Sequence, residues 1–332
     1  MKTNIHFINQ SILCELENYF SKPIDLKTEV TTPEIEIKNS SIEDYNMFNP
    51  VFRSVIKDFI VVLTKNFPRE DLKNFYNNIN GLKLKTKKLR EASAHYKIDK
   101  NEIEVEKDLK PSNINGILFH ELFHMASSTY ANGRRYSGFS QRTKSTKKII
   151  GNGINEGYTE LLAHRYYPQI FKSSYVEECG IVLHLEDIIG KEEMSKLYLN
   201  ADLNGLINKL REYTKDEDIL EFITSVDQIQ DYYLNKSTKI EFLYNIKKAY
   251  RFILRAYIKK QEIEYSNGKI SKQEFINKVG EYIYLIKQTS HTDKNNYITQ
   301  FEVIEILESV LGENEVNANI TQKVYSMYNE RA

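Results

Sequence analysis

The chain has 332 residues, enough for roughly two domains and a sizeable core. Lys plus Arg and Asp plus Glu both number 46, and this zero net charge excludes a polybasic chain drawn to nucleic acid or to an anionic membrane. With 41% hydrophobic residues and only 6 prolines it is neither disordered nor collagen-like, and its two distant cysteines, Cys14 and Cys179, supply neither a disulfide framework nor a thiolate zinc site.

The first 50 residues carry no clear pattern. Asn9, Gln10 and Glu15 interrupt the apolar core that a signal peptide needs, so a cytoplasmic location is expected, with leaderless export the alternative. From Val51 to Asn66, apolar residues at Val51, Val55, Phe59, Val62 and Leu63 predict a helix ended by Pro68. The densest apolar run, Phe59–Leu63, is far too short to span a membrane. Residues 82–88, 94–98 and 102–106 tend to alternate polar with apolar, as strands of a small sheet solvated on one face do.

Pro111 and Ser112 then offer a helix start, with Ser112 as N-cap, and a helix over about 113–128 is apolar on several faces. The segment 130–153, rich in Gly, Ser, Thr and basic residues, predicts a loop with a hairpin of 136–141 and 147–150. A second helix, about 153–166, must stop before Pro168. Beyond residue 173 the pattern is helical almost throughout. Phe242, Ile246, Ala249, Ile253 and Ala256 share one helical face, and Ser271 with Glu274 forms a capping box. The expectation is an α+β fold: residues 1–170 form a domain with a small mixed β-sheet over an active-site helix, and 171–332 form an α-helical domain closing the cleft.

The chemistry lies in the first of those two helices. His120-Glu121-Leu122-Phe123-His124 matches H-E-x-x-H. Residues four apart differ by about 40° around a helix, so both imidazoles leave one face and can reach a single ion, while Glu121 points to an adjacent sector. Two histidines merely satisfying one another is the bland alternative. Burying two imidazoles and a carboxylate without partners costs several kcal/mol, which favours metal ligation. Catalytic zinc commonly takes three protein ligands and a water, and Glu156, Glu160 and His164, spaced by four, supply the acidic face of the next helix. Glu156 is the candidate third ligand, with Glu160 the fallback. In the first assignment Glu160 accepts the free N–H of a ligating imidazole.

His120-Glu121-x-x-His124 followed by Asn155-Glu156-x-x-Thr159-Glu160 resembles the gluzincin pattern of thermolysin-type zinc metallopeptidases. The continuation Gly157-Tyr158-Thr159-Glu160 is similar to that of bacterial gluzincin-like proteins. The resemblance covers about Pro111–Pro168. It implies one Zn2+ held by His120, His124 and Glu156, Glu121 as general base, and Glu160 as support for a ligating histidine. It also implies a peptide or protein substrate bound along an edge strand, 94–98 or 102–106. Residues 125–155 form a longer spacer than in thermolysin, and Glu160 stands where a shorter Asp is found there.

Tyr130, Tyr136, Tyr175 and His184 are all open as donors to a developing oxyanion. His184, between Leu183 and Leu185, reads more naturally as a core residue, and His6, His95 and His291 as surface or structural ones. The function this implies is zinc-dependent peptide-bond hydrolysis of restricted specificity. A non-catalytic zinc-stabilised binding protein using the helical region is the alternative.

Overall fold

A computed structural model describes residues 49–79, 81–89, 92–109, 111–131, 134–142, 148–167, 174–234, 236–289, 298–312 and 315–330. Cys14, His6, His291 and the patternless first 48 residues lie outside them. The fold is α+β: two small sheets and the helix carrying His120 and His124 are followed by a series of helices. Among the described residues no helix is long and apolar enough to cross a membrane.

The described residues divide into two compact units. The first takes those up to Ile149 and those within 163–171 and 196–206; the second takes those within 150–162 and 172–195, and from Ile207 on.

In the first unit, α1 (Asn49–Asn66) and α2 (Lys73–Ile79) pack against α3 (Pro111–Ala126). Phe59 of α1 is the hub, its ring edge-on to Phe75 of α2 and to Phe119 and Phe123 of α3 at 6.2, 5.0 and 4.9 Å. The expected helix over 51–66 is thus present, and α3 runs close to its expected range. It differs at both ends. Pro111 opens it, which suits proline because the first helical N–H has no intrahelical acceptor, so Ser112 lies inside the helix rather than capping it. The helix stops at Ala126 because Ser127 turns the chain into a strand; the Ser127 N–H donates to Phe123 O, and the Ser128 hydroxyl donates to His124 O.

The first sheet is mixed, with order β1–β3–β2 for β1 (Lys83–Lys87), β2 (Ala94–Lys97) and β3 (Glu102–Glu106); β1 runs parallel to β3 and β2 antiparallel. Leu84, Ala94, Ile103 and Val105 bury one face. The other face departs from the solvated surface expected. Glu102 and Glu104 are 1% and 4% exposed, because Lys85, Lys87, His95 and Lys97 on the flanking strands fold over them. β3 is therefore central, which removes 102–106 as an edge strand and leaves β2.

The expected hairpin is instead a four-stranded sheet, β4 (Ser128–Ala131), β5 (Arg134–Ser137), β6 (Ser140–Arg142) and β7 (Ile149–Ile150), in sequence order. Gly138, with φ 51°, makes the tight β5–β6 turn that splits the expected first strand.

In the second unit, α4 (Asn152–Tyr166), shared with the first, is followed by α5 (Val176–Ile189), α6 (Lys191–Leu199), α7 (Leu203–Leu210), α8 (Asp216–Tyr233), α9 (Lys239–Ser266), α10 (Lys272–Thr289), α11 (Gln300–Leu311) and α12 (Glu315–Glu330). The expected face of α9, Phe242 to Ala256, is buried throughout. Ser271 and Glu274 exchange the two bonds of a capping box, at 2.7 and 3.2 Å.

Candidate metal centre

Helix α3 presents two chemically opposite faces. Leu118, Phe119, Leu122, Phe123 and Ala126 are buried in the aromatic core, while His120 and His124, also buried, leave the other side one turn apart. Their Nε2 atoms face each other at 3.1 Å. At that distance the two rings hydrogen-bond to each other, and the separation is also close to the about 3.3 Å between two nitrogens bound at about 2.05 Å to one tetrahedral zinc.

Glu121 is buried beside them. Its Oε2 accepts the backbone N–H of Tyr96 on β2 at 2.7 Å. The Tyr96 hydroxyl donates to Asn101 Oδ1, Asn101 Nδ2 donates to Asn78 O, and Asn78 Nδ2 donates to Met125 O and Ser128 O at the end of α3. A closed circuit of hydrogen bonds therefore ties β2 to the helix that carries Glu121. Burial pushes the Tyr96 phenol well above its ordinary range, so it remains a donor.

Helix α4 owes its placement to two glycines and one aspartate. Asp227 of α8 accepts the N–H groups of Gly151 and Gly153 at 2.9 and 2.8 Å, satisfying donors that a helix start leaves without intrahelical partners. A Cβ on Gly153 would lie 2.4 Å from Val226 O, and one on Gly157 would lie 2.6 Å from the backbone of Glu178. Only glycine lets α8 and α5 pass so close. The adjoining face carries Glu156, half-buried, and Glu160, buried, which accepts the Ser174 N–H at 3.2 Å. His164, half-buried, follows one turn later.

His120, His124 and Glu156 each offer one ligand atom, and these atoms all lie within 4.8 Å of one another. Two imidazoles and a carboxylate form a donor set suited to zinc. The three candidate ligands thus lie close enough to share an ion, with Glu160 one turn beyond Glu156.

Of the four residues open as oxyanion donors, Tyr130 is exposed on β4, Tyr136 is buried on β5, and Tyr175 precedes α5. His184 lies in the helical core between Tyr250 and Tyr282, its Nδ1 3.3 Å from Asp187. His95 belongs to the charged face of the first sheet, 3.3 Å from Glu104.

No pattern in the sequence singles out Glu178. It stands in the first turn of α5, where an acid normally stabilises the helix start and faces water. Here it is fully buried against α4, and neither carboxyl oxygen has a hydrogen-bond partner among the described residues. Burial pushes its carboxyl up to about 8, opposed in part by its own backbone N–H and reinforced by the charges of Glu177, Glu156 and Glu160. No protein-family model, curated protein or solved structure matches the chain.

Proposed function

We propose that the chain is a zinc metallopeptidase of the gluzincin kind, hydrolysing peptide bonds in a peptide or protein substrate. The observation that carries this reading is the convergence of His120, His124 and Glu156. In this reading the three hold one zinc, and Glu160 supports a ligating imidazole. Zinc, when bound, polarises a carbonyl oxygen and lowers the pKa of a coordinated water. Glu121, next to His120 but outside the ligand set, takes the proton released as water attacks and delivers it to the leaving amine. The aromatic packing behind α3 holds that helix rigid, which keeps the base at a fixed distance from the ligands. β2, the edge of its sheet beside α3, offers backbone groups to an extended substrate.

The test is Glu121→Gln. Bound zinc should stay at one per chain while hydrolysis of a peptide library falls about 1,000-fold. A wild type that binds one zinc per chain and cleaves nothing across a broad library would favour a zinc-stabilised binding protein.

A further inference from the structure

Glu121 does not wait unattached for a substrate. Its Oε2 is bonded to the Tyr96 N–H, and the geometry of β2 shows why that donor is available. In an antiparallel pair, residues alternate between those that exchange both backbone bonds with the partner strand and those whose N–H and C=O point away from it. Glu106 N–H donates to Ser93 O, which sets the phase: His95, opposite Glu104, bonds inward, and Tyr96, opposite Ile103, points both its groups outward. The order β1–β3–β2 places no further strand on that side. The outward N–H of Tyr96 is therefore the group an added strand would seek, and Glu121 already holds it. Its position is fixed from behind by the Tyr96, Asn101 and Asn78 hydrogen bonds, which end on the carbonyls of Met125 and Ser128.

We propose that the Tyr96 N–H is a resting-state clamp on Glu121, and that an extended peptide pairing with β2 supplies its own carbonyl to this N–H and so frees the carboxylate. The inference rests on the reading of Glu121 as the base of a peptidase. It adds a condition: the base is released only by a substrate long enough to pair with the strand. Tyr96, Asn101 and Asn78 act as positioning residues, because none of them need touch the reacting atoms. A short or folded substrate that cannot reach β2 would meet a carboxylate still held away from its task.

The experiment measures hydrogen exchange at single amides in the full zinc-loaded chain, comparing wild type with Glu121→Ala, and with Glu121→Gln as the better-tolerated second variant. The probe is a capped penta-alanine with every second peptide nitrogen methylated, so that one edge can pair and the chain resists hydrolysis. Without peptide, the Tyr96 amide should exchange at least 10-fold faster in Glu121→Ala, and by a smaller factor in Glu121→Gln, whose neutral oxygen is a weaker acceptor. The inward amides of His95 and Lys97 should not change. The peptide should restore slow exchange at Tyr96 in Glu121→Ala and bind that variant at least 3-fold more tightly than wild type, where it must displace the carboxylate. Equal Tyr96 exchange in wild type and both variants, or peptide binding that leaves Tyr96 fast in Glu121→Ala, overturns the clamp. These outcomes separate the two claims. Glu121-dependent hydrolysis with Tyr96 exchange indifferent to Glu121 sinks the clamp alone. The expected exchange pattern in a chain that hydrolyses no library peptide sinks the peptidase and leaves the strand contact standing.

Discussion

On β3, Glu102 and Glu104 are buried beneath cations, with Lys85 2.6 Å from Glu102 and Lys97, His95 and Lys87 around Glu104; on α5, Glu178 is buried just as deeply and neither oxygen has a hydrogen-bond partner among the described residues. Burial alone would push the Glu104 carboxyl up, yet Lys97, Lys87 and His95 hold it below the usual carboxylate range. Burial pushes Glu178 up to about 8, and its charged neighbours Glu177, Glu156 and Glu160 add to that. The same residue type at the same depth is thus paired with cations in one place and, among the described residues, with none in the other. The fold thus pairs its buried sheet acids with cations, and it leaves Glu178 of α5 beside the helix that carries Glu156 with no cation partner among the described residues.

Three substitutions can break or sharpen this contrast. The largest effect belongs to Gly157→Ala, because its methyl would meet the Glu178 backbone at 2.6 Å. Chemical denaturation should show a loss of about 3 kcal/mol, whereas Gly→Ala in an open helix gains about 1 kcal/mol. A gain at this site would mean that α4 and α5 are not in backbone contact.

Glu178→Gln should act in the opposite direction. A carboxyl raised from 4.5 to about 8 keeps a proton on folding that the unfolded chain has already lost, so stability falls as pH rises between those values. Removing the acid should make the metal-free protein about 2 kcal/mol more stable at pH 7.5, with no gain at pH 4. Equal stability of variant and wild type at both pH values would show that Glu178 is already compensated.

Glu104→Gln should destabilise by only about 1 kcal/mol at pH 7, because its lysine partners reach solvent. Its carboxyl is depressed on folding. Its contribution is therefore complete above the unfolded value of 4.5 and is lost as pH falls through the lower folded value. An acid unfolding curve of the variant that is shallower below pH 4.5 than that of wild type would confirm the sign.

Much of this was legible in the sequence, for identifiable reasons. Helix α3 announced itself because its apolar residues occupy several faces, and the spacing of His120 and His124 put both on one stripe. The same logic placed Glu156 and Glu160 on α4, and the α9 core face followed from strict helical spacing. Other features depend on partners far along the chain. Alternating Glu102, Ile103, Glu104 and Val105 reads as a solvated face unless Lys85 and Lys97 are known to lie across it. Ser128–Ala131 is a strand because it pairs with β5, not because of its own composition. Glu178 looks like an ordinary first-turn acid until Gly157 is seen to bring α5 against α4. The Tyr96 contact with Glu121 is a backbone bond, and side-chain patterns carry no trace of it.

The central claim is that His120, His124 and Glu156 share one zinc, and zinc affinity and coordination in wild type and Glu156→Ala test it most directly. Wild type should bind one zinc per chain, with X-ray absorption showing two imidazole nitrogens and oxygen ligands. Glu156→Ala should bind zinc at least 10-fold more weakly, with one oxygen ligand fewer from the protein. Unchanged affinity and an unchanged absorption spectrum in Glu156→Ala would contradict the account.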